Sequence, residues 1–131
     1  MIEGGCLCGA VRYQVDNAIT DVSHCHCTMC RKHHGAAFAT YGVAERNHLH
    51  WLQGEEKISV YRSSAQLERL FCSLCGSSLL CQTDEEPNVV YLALGTLDDD
   101  PGCRPAYHIW VGSMAPWYSI TDNLPRFEAE E

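Results

Sequence analysis

Seven of the nine cysteines in this 131-residue sequence fall into three short clusters, a spacing typical of zinc ligands. Four thiolates complete one tetrahedral zinc shell, whereas three leave a position open for water or a substrate atom. Because the clusters hold two, three and two cysteines, they predict a closed structural site from the outer pairs and an open, catalytic site from the middle triple. The seven are Cys6 and Cys8, then Cys25, Cys27 and Cys30, then Cys72 and Cys75.

Each of the two outer pairs is followed directly by a glycine, Gly9 or Gly76. Two residues between Cys72 and Cys75 let both sulfurs reach one metal at about 2.3 Å. Glycine permits the positive φ angle that such a tight turn often requires. A metal shared by both pairs would tie the N-terminal strand to a later hairpin and would contribute strongly to folding. The alternative is that one or both pairs are ordinary buried thiols.

The middle cluster reads Cys-His-Cys-Thr-Met-Cys over residues 25–30. One interpretation of this cluster is an open catalytic site. The alternative is that a distant residue supplies a fourth ligand, which would make the site purely structural. Cys27 and Cys30 also have the spacing of a redox pair, although the extra Cys25 and the lack of a βαβ pattern weaken that alternative. The residues chemically able to close the site are His26, His33, His34, His108, Cys81 and Cys103.

Charge and composition exclude several classes of function. The formal charge of −8 argues against nucleic-acid binding, because phosphate contacts need clustered lysine and arginine. No run approaches about 18 apolar residues and no basic segment precedes an apolar one at the N-terminus, so we expect neither a membrane span nor a secretory signal. The expected location is the cytoplasm, where clustered cysteines bind metal more often than they form disulfides. An anionic substrate would need a local cation, for which the candidates are Arg31, Lys32 and Arg69.

Short alternating segments between turn residues predict a mainly β protein. Strands are expected at 11–15, 58–62, 66–71, 78–83, 89–94 and 107–111. Residues 66–83 would then form a strand, a cysteine turn and a returning strand, the layout of a zinc ribbon. Only residues 28–34 indicate a helix, which Gly35 would end. Four prolines in the last third of the chain favour loops there.

The cysteine motifs and several segments between them form one collinear pattern over about residues 3–128. The cysteine motifs are Gly5-Cys6-Leu7-Cys8-Gly9-Ala10-Val11-Arg12-Tyr13, Cys25-His26-Cys27-x-x-Cys30-Arg31-Lys32 and Phe71-Cys72-x-x-Cys75-Gly76. The further segments are Leu94-Gly95-Thr96-Leu97-Asp98, Pro105-Ala106-Tyr107-His108-Ile109, Pro116-Trp117 and Asp122-Asn123-Leu124-Pro125-Arg126-Phe127. This pattern resembles the glutathione-dependent formaldehyde-activating enzyme family, whose domain is shared with centromere protein V.

The resemblance implies a single domain over residues 1–131 with an Mss4-like fold, mainly β with little helix, in which several small antiparallel sheets surround a structural zinc. The activity it implies is the addition of formaldehyde to glutathione, giving S-(hydroxymethyl)glutathione, or the reverse reaction. The expected partners are therefore a small thiol such as glutathione and an aldehyde. It also implies two Zn²⁺ per chain: a structural zinc on Cys6, Cys8, Cys72 and Cys75, and a catalytic zinc on Cys25, Cys27 and Cys30.

Our leading hypothesis is thus a zinc-dependent carbon–sulfur lyase or synthase, in which the second zinc holds a thiolate against a carbonyl group. One alternative is a zinc-binding module without enzymatic activity, acting through protein contacts that Trp110, Trp117 and Tyr118 would support. Another is redox sensing by the middle cluster. For the enzyme, the candidate proton carriers are His26, His33 and His34, and the candidate cations for a substrate carboxylate are Arg31, Lys32 and Arg69.

Overall fold

The computed structural model describes residues 1–130, and within them the chain forms ten β-strands and one short α-helix. In chain order these are β1 (Ile2–Gly5), β2 (Arg12–Val15), β3 (Thr20–Cys25), α1 (Thr28–His34), β4 (Ala39–Glu45), β5 (Leu49–Gln53), β6 (Ile58–Arg62), β7 (Leu67–Cys72), β8 (Ser78–Thr83), β9 (Val89–Ala93) and β10 (Tyr107–Ile109). The mainly β prediction with little helix is confirmed. No helix in this range is long and apolar enough to cross a membrane.

The strands form two sheets. An antiparallel sheet of three strands has β2 in the middle, between β1 and β5. The other seven strands follow the order β10-β3-β4-β9-β8-β7-β6 and pair antiparallel, except that β10 runs parallel to β3. The strands that lead into the second and third cysteine clusters, β3 and β7, therefore belong to one sheet.

The main core joins the two sheets. Tyr13 and Val15 of β2 are fully buried and pack with Leu80, Val90 and other side chains of the larger sheet. Burying one such apolar side chain stabilises the fold by about 1.5–3 kcal/mol. A smaller buried cluster, consisting of Cys6, Val11, Cys72 and Leu79, continues this packing. As a result, the loop after β1 lies against the turn between β7 and β8.

All six strands expected from the sequence are present, with ends shifted by at most two residues, and α1 has the expected bounds. Gly35 ends the helix in the left-handed region, at a φ of 61°. The sequence patterns do not predict β1, β3, β4 and β5. In β4 the reason is visible, because a Cβ on Gly42 would lie 2.5 Å from a methyl carbon of Ile19. Close packing at this position therefore requires glycine. Glycine is unfavourable in strands, so its presence weakens the sequence pattern that would predict β4.

Candidate metal centres and the adjoining cavity

The two outer cysteine pairs meet in one place, which we call the first cluster: Cys6, Cys8, Cys72 and Cys75. One pair lies in the loop between β1 and β2, and the other lies at the turn between β7 and β8. All four sulfurs lie within 4.8 Å of one another. The Sγ atom of Cys8 is 3.6 Å from that of Cys6 and 3.9 Å from that of Cys72. Tetrahedral Zn–S bonds of about 2.3 Å separate ligand sulfurs by about 3.8 Å, so this donor set fits Zn²⁺.

Glycine-ended turns bring each of these pairs together. Gly9 and Gly76 adopt φ angles of 81° and 80°, which confirms the prediction for Gly76. The backbone N–H of Val11 donates to Cys6 Sγ at 3.2 Å, a contact that favours the thiolate form of the sulfur. Burial as an ordinary thiol does not describe Cys8, whose side chain is exposed.

The middle cysteines form the second cluster: Cys25, Cys27 and Cys30, with sulfurs again within 4.8 Å of one another. Cys25 ends β3, Cys27 is the N-cap of α1, and Cys30 lies in the first helical turn. The Cys30 N–H donates to Cys27 Sγ at 3.2 Å, so the helix cap fixes this sulfur. Within residues 1–130, no histidine, carboxylate or further cysteine joins the three at this distance. None of the other candidate ligands in this range therefore lies within 4.8 Å of all three sulfurs.

Electrostatics concentrate negative charge at the second cluster. Hydrogen bonds with Cys25 and then Cys30 lower the pKa of the Cys27 thiol, and the bond to Cys27 raises the pKa of Cys25. Arg69 of β7 places both Nη1 and Nη2 at 3.7 Å from Cys30 Sγ. Its side chain is only 2% exposed. A buried cation needs a compensating charge, and the Cys27 thiolate, which Arg69 itself helps to stabilise, supplies it.

A chain of hydrogen bonds continues from Arg69 to the end of α1. Arg69 Nη1 donates to Tyr41 Oη at 3.1 Å, and Tyr41 Oη lies 2.8 Å from His34 Nε2. Since arginine can only donate, the Tyr41 oxygen accepts from Arg69 and its hydroxyl proton is free for another acceptor, His34 or Cys81. Burial lowers the pKa of His34 to about 4, so its ring is neutral near pH 7, and Nε2 accepts from Tyr41 in the tautomer that carries hydrogen on Nδ1. Sequence reasoning missed Tyr41 because no pattern predicts β4, the strand that carries it.

A cavity of about 920 Å³ opens beside the second cluster. Its volume lies within the range of small-molecule sites, about 300–1,000 Å³. One part of its lining consists of the three cysteines with Tyr41, Arg69 and Cys81. Another part is aromatic and acidic, and its members are Tyr91, Tyr107, Trp110, Asp21, Glu85, Glu86 and Glu130. The three cysteines thus border a cavity of a size that suits a small molecule.

His26 does not line this cavity and belongs to a buried polar network. Its Nε2 lies 2.8 Å from His108 Nδ1, and His108 Nε2 lies 3.0 Å from Asp122 Oδ2. Both histidine rings are buried, and burial lowers the pKa of His26 to about 4. The network ties β10 and the residue that follows β3 to the C-terminal segment. This placement disfavours His26 as a proton carrier at the second cluster.

The other candidate ligands lie at three different places. Cys81 is buried in the cavity wall, and burial raises its pKa to about 12. His33 and His34 line a separate cavity of about 510 Å³. Cys103 packs against the main core. Only Cys81 therefore shares the cavity with the second cluster.

Among the other predicted residues, Trp110 lines the cavity and Trp117 is 70% exposed. Arg31 donates from Nη1 to the Ser113 carbonyl at 2.9 Å and does not line the cavity. Lys32 is exposed and also lies outside the lining. Of the three predicted cations, only Arg69 reaches the second cluster.

A mainly β fold with clusters of four and three cysteines defines a class of small proteins able to hold metal ions. A family model described as glutathione-dependent formaldehyde-activating enzyme matches residues 1–113, and the chain belongs to this family.

Two relatives and one solved structure extend the likeness. A provisionally named glutathione-dependent formaldehyde-activating enzyme of Halomonas elongata is 28% identical over 127 residues, which cover 92% of this chain and 81% of that protein. An uncharacterized lyase of Schizosaccharomyces pombe is 27% identical over 115 residues, covering 77% and 82%. A crystal structure of a Rhodobacter sphaeroides protein matches with a TM-score of 0.62 and 26% identity, covering 79% of this chain and 91% of that chain.

Proposed function

We propose that this protein is a zinc-dependent carbon–sulfur lyase or synthase, which adds a small thiol such as glutathione to an aldehyde or reverses that addition. Family membership and the lyase name of one relative support the reaction class. Under this proposal the second cluster, Cys25, Cys27 and Cys30, holds a catalytic zinc. The first cluster, Cys6, Cys8, Cys72 and Cys75, holds a structural zinc.

The observation that carries the proposal is a set of three sulfurs lining a cavity, with no fourth ligand beside them among residues 1–130. Zn²⁺ bound there would supply a Lewis acid that favours ionisation of a thiol at neutral pH. The cavity walls would hold the thiol and the aldehyde side by side, which replaces a bimolecular encounter with an oriented one.

Arg69 balances the charge of this site. Three thiolates and one Zn²⁺ sum to a charge of −1, and the guanidinium group 3.7 Å from Cys30 Sγ brings the local sum to zero. A neutral site accepts a further thiolate more readily than an anionic site does. Because Arg69 is buried and already bonded to Cys30 and Tyr41, its role is electrostatic and does not include direct binding of a substrate.

Tyr41 and His34 are placed to move the proton. In the adduct-forming direction the thiol sulfur bonds to the carbonyl carbon, the C=O π pair moves to oxygen, and the thiol proton must reach that oxygen. Tyr41, which lines the cavity, would take this proton on Oη and pass its own to His34 Nε2, 2.8 Å away. Transfer back through the same two groups delivers a proton to the product oxygen. The lowered pKa of His34 keeps its ring neutral near pH 7 and makes it a weak base, so the ring would return the proton readily and would not store it.

Replacement of Cys27 by serine tests the proposal, with Cys103→Ser as the matched control. We expect two zinc ions per chain in the wild type and the control, one in Cys27→Ser, and at least about a hundredfold loss of thiol–aldehyde adduct turnover. X-ray absorption of the wild type should show one zinc gaining a sulfur neighbour when glutathione is added. Full turnover by Cys27→Ser with both ions retained would refute the assignment.

A second candidate is a non-enzymatic protein-interaction module. Leu7 and Leu74, one on each turn of the first cluster, are 89% and 62% exposed and are available to a partner. Two bound zinc ions whose X-ray absorption spectra do not change when a thiol is added would favour this function over the enzyme.

A further inference from the structure

One tryptophan beside the second cluster has a backbone conformation that bulky residues rarely adopt. Trp110 directly follows β10, and its φ and ψ angles of 57° and 36° lie in the left-handed region. Within residues 1–130, Asp21 is the only other non-glycine residue with a positive φ angle. Glycine adopts this region without cost, and asparagine and aspartate are enriched there. The choice of tryptophan, despite the strain, indicates that its side chain has a function at this position.

Hydrogen bonds with the C-terminal segment hold this strained conformation. The backbone N–H of Trp110 donates to the Ala129 carbonyl at 2.9 Å, and that of Val111 donates to the Phe127 carbonyl at 3.0 Å. The N–H of Ser113 donates to the Trp110 carbonyl at 3.0 Å. The peptide groups on both sides of Trp110 are therefore fixed, and these bonds help to offset the cost of the left-handed backbone.

The Trp110 side chain borders both the second cluster and the cavity. It packs against the buried group of side chains that contains Cys25 and Cys30, and it also lines the cavity. The backbone before it is tied to the cysteine segment, because the N–H of His26 donates to the Ile109 carbonyl at 3.0 Å. Trp110 is half-buried, so part of its surface stays open. The ring is thus held next to the second cluster with a free surface on the cavity.

We propose that Trp110 is a substrate-contacting residue, whose indole ring binds the carbon chain of the thiol in this cavity. The inference rests on the proposed function, because it adds a binding residue to the same site. A thiol whose sulfur lies at the second cluster has to place its chain in the adjoining cavity, and the face of an indole ring packs well against methylene and peptide groups. Because the indole N–H only donates hydrogen bonds, the ring contributes to binding and not to proton transfer.

Replacement of Trp110 by glycine tests the contact, since glycine removes the ring and accepts the backbone conformation without strain. Loss of one buried aromatic contact changes affinity about tenfold. We therefore expect the dissociation constant of glutathione from the zinc-loaded protein, measured by calorimetry, to rise at least about tenfold. KM for glutathione should rise by a similar factor while kcat stays within about threefold, as expected when binding alone is lost.

Two further variants control for this substitution. Trp110→Phe keeps an aromatic ring and should raise the dissociation constant by less than about fivefold. Trp117→Gly removes an indole that is 70% exposed and outside the cavity lining, and it should leave the constant within about twofold of wild type. Chelator competition should show second-cluster zinc affinity within about threefold of wild type in Trp110→Gly. Unchanged glutathione affinity in Trp110→Gly, or a loss of zinc affinity as large as the loss of glutathione affinity, would overturn the proposal.

A fluorescence measurement separates this proposal from the proposed function. The chain has three tryptophans, so Trp51→Phe/Trp117→Phe retains only Trp110, and Trp51→Phe/Trp110→Phe retains only Trp117 as the control. The ligands are glutathione and S-methylglutathione, which has the same chain without a thiol. Both should change the emission of Trp110 and leave that of Trp117 unchanged.

A Trp110 response to S-methylglutathione in a protein without adduct turnover would refute the proposed function and uphold the contact. Adduct turnover without a response of Trp110 would overturn the contact and leave the proposed function intact. The absence of a response to either ligand would likewise overturn the contact.

Discussion

Replacing Arg69 with methionine should weaken zinc binding at the second cluster and leave the first cluster unaffected. The guanidinium nitrogens lie 3.7 Å from Cys30 Sγ. At about that distance and an effective dielectric constant of about 20, the attraction of two unit charges is about 4 kcal/mol, or about a thousandfold in affinity. The thiolate charge is spread over three sulfurs, so we expect a loss between about tenfold and a thousandfold. Methionine has a comparable length and keeps most of the packing.

The assay is competition with a chromophoric chelator, which resolves the two zinc ions of one chain by their affinities. Arg69→Lys keeps the positive charge but cannot place two donors on Cys30, so its loss should stay within about tenfold. Arg104→Met is the matched control, because Arg104 is exposed and pairs with Asp100 outside both clusters. Circular dichroism checks that each variant is folded.

Equal second-site affinity, within about twofold, in Arg69→Met and the wild type would contradict this reasoning. Arg69 would then be retained for its hydrogen bonds to Tyr41 and Ser63 alone. Equal losses at both clusters would instead indicate a general loosening of β7, since that strand carries both Arg69 and Cys72.

Three further predictions follow from the same contacts. Tyr41→Phe should lower kcat for the adduct reaction about a hundredfold with both zinc ions retained, because the proton path to His34 is cut; unchanged kcat would exclude that path. Cys72→Ser should leave the chain largely unfolded by circular dichroism, since structural zinc in small domains supplies about 10–16 kcal/mol and total stability is about 5–15 kcal/mol; Cys103→Ser should remain folded. Burial lowers the pKa of His34 from 6.5 to about 4, so between these pH values the unfolded state binds a proton at His34 and the folded state does not. His34 therefore favours folding above pH 6.5, and this contribution is lost as the pH falls towards 4. His34→Gln should therefore show a shallower loss of urea-unfolding free energy over that interval, and identical slopes would contradict the assignment.

The cysteine clusters and six of the strands could be predicted because their signals are local. A CxxC turn before glycine, or an alternating run such as that of β6, is complete within a few residues. The cavity lining could not be predicted in this way. Arg69, Tyr41 and Cys30 lie on β7, β4 and α1, and only the strand order of the larger sheet brings them together. Nothing near Asp21 in the sequence indicates that Tyr107, on a strand near the end of the chain, fixes its carboxylate.

The two clusters are also connected through β7, which carries a residue of each site. Cys72, a ligand of the first cluster under our proposal, ends the strand that places Arg69 beside Cys30 of the second cluster. The same hairpin returns along β8 and brings Cys81 into the cavity wall. A metal at the first cluster would fix the end of this hairpin to the loop after β1, three residues from Arg69. Zinc at the first cluster would therefore hold Arg69 in position beside the second cluster, whose charge Arg69 balances.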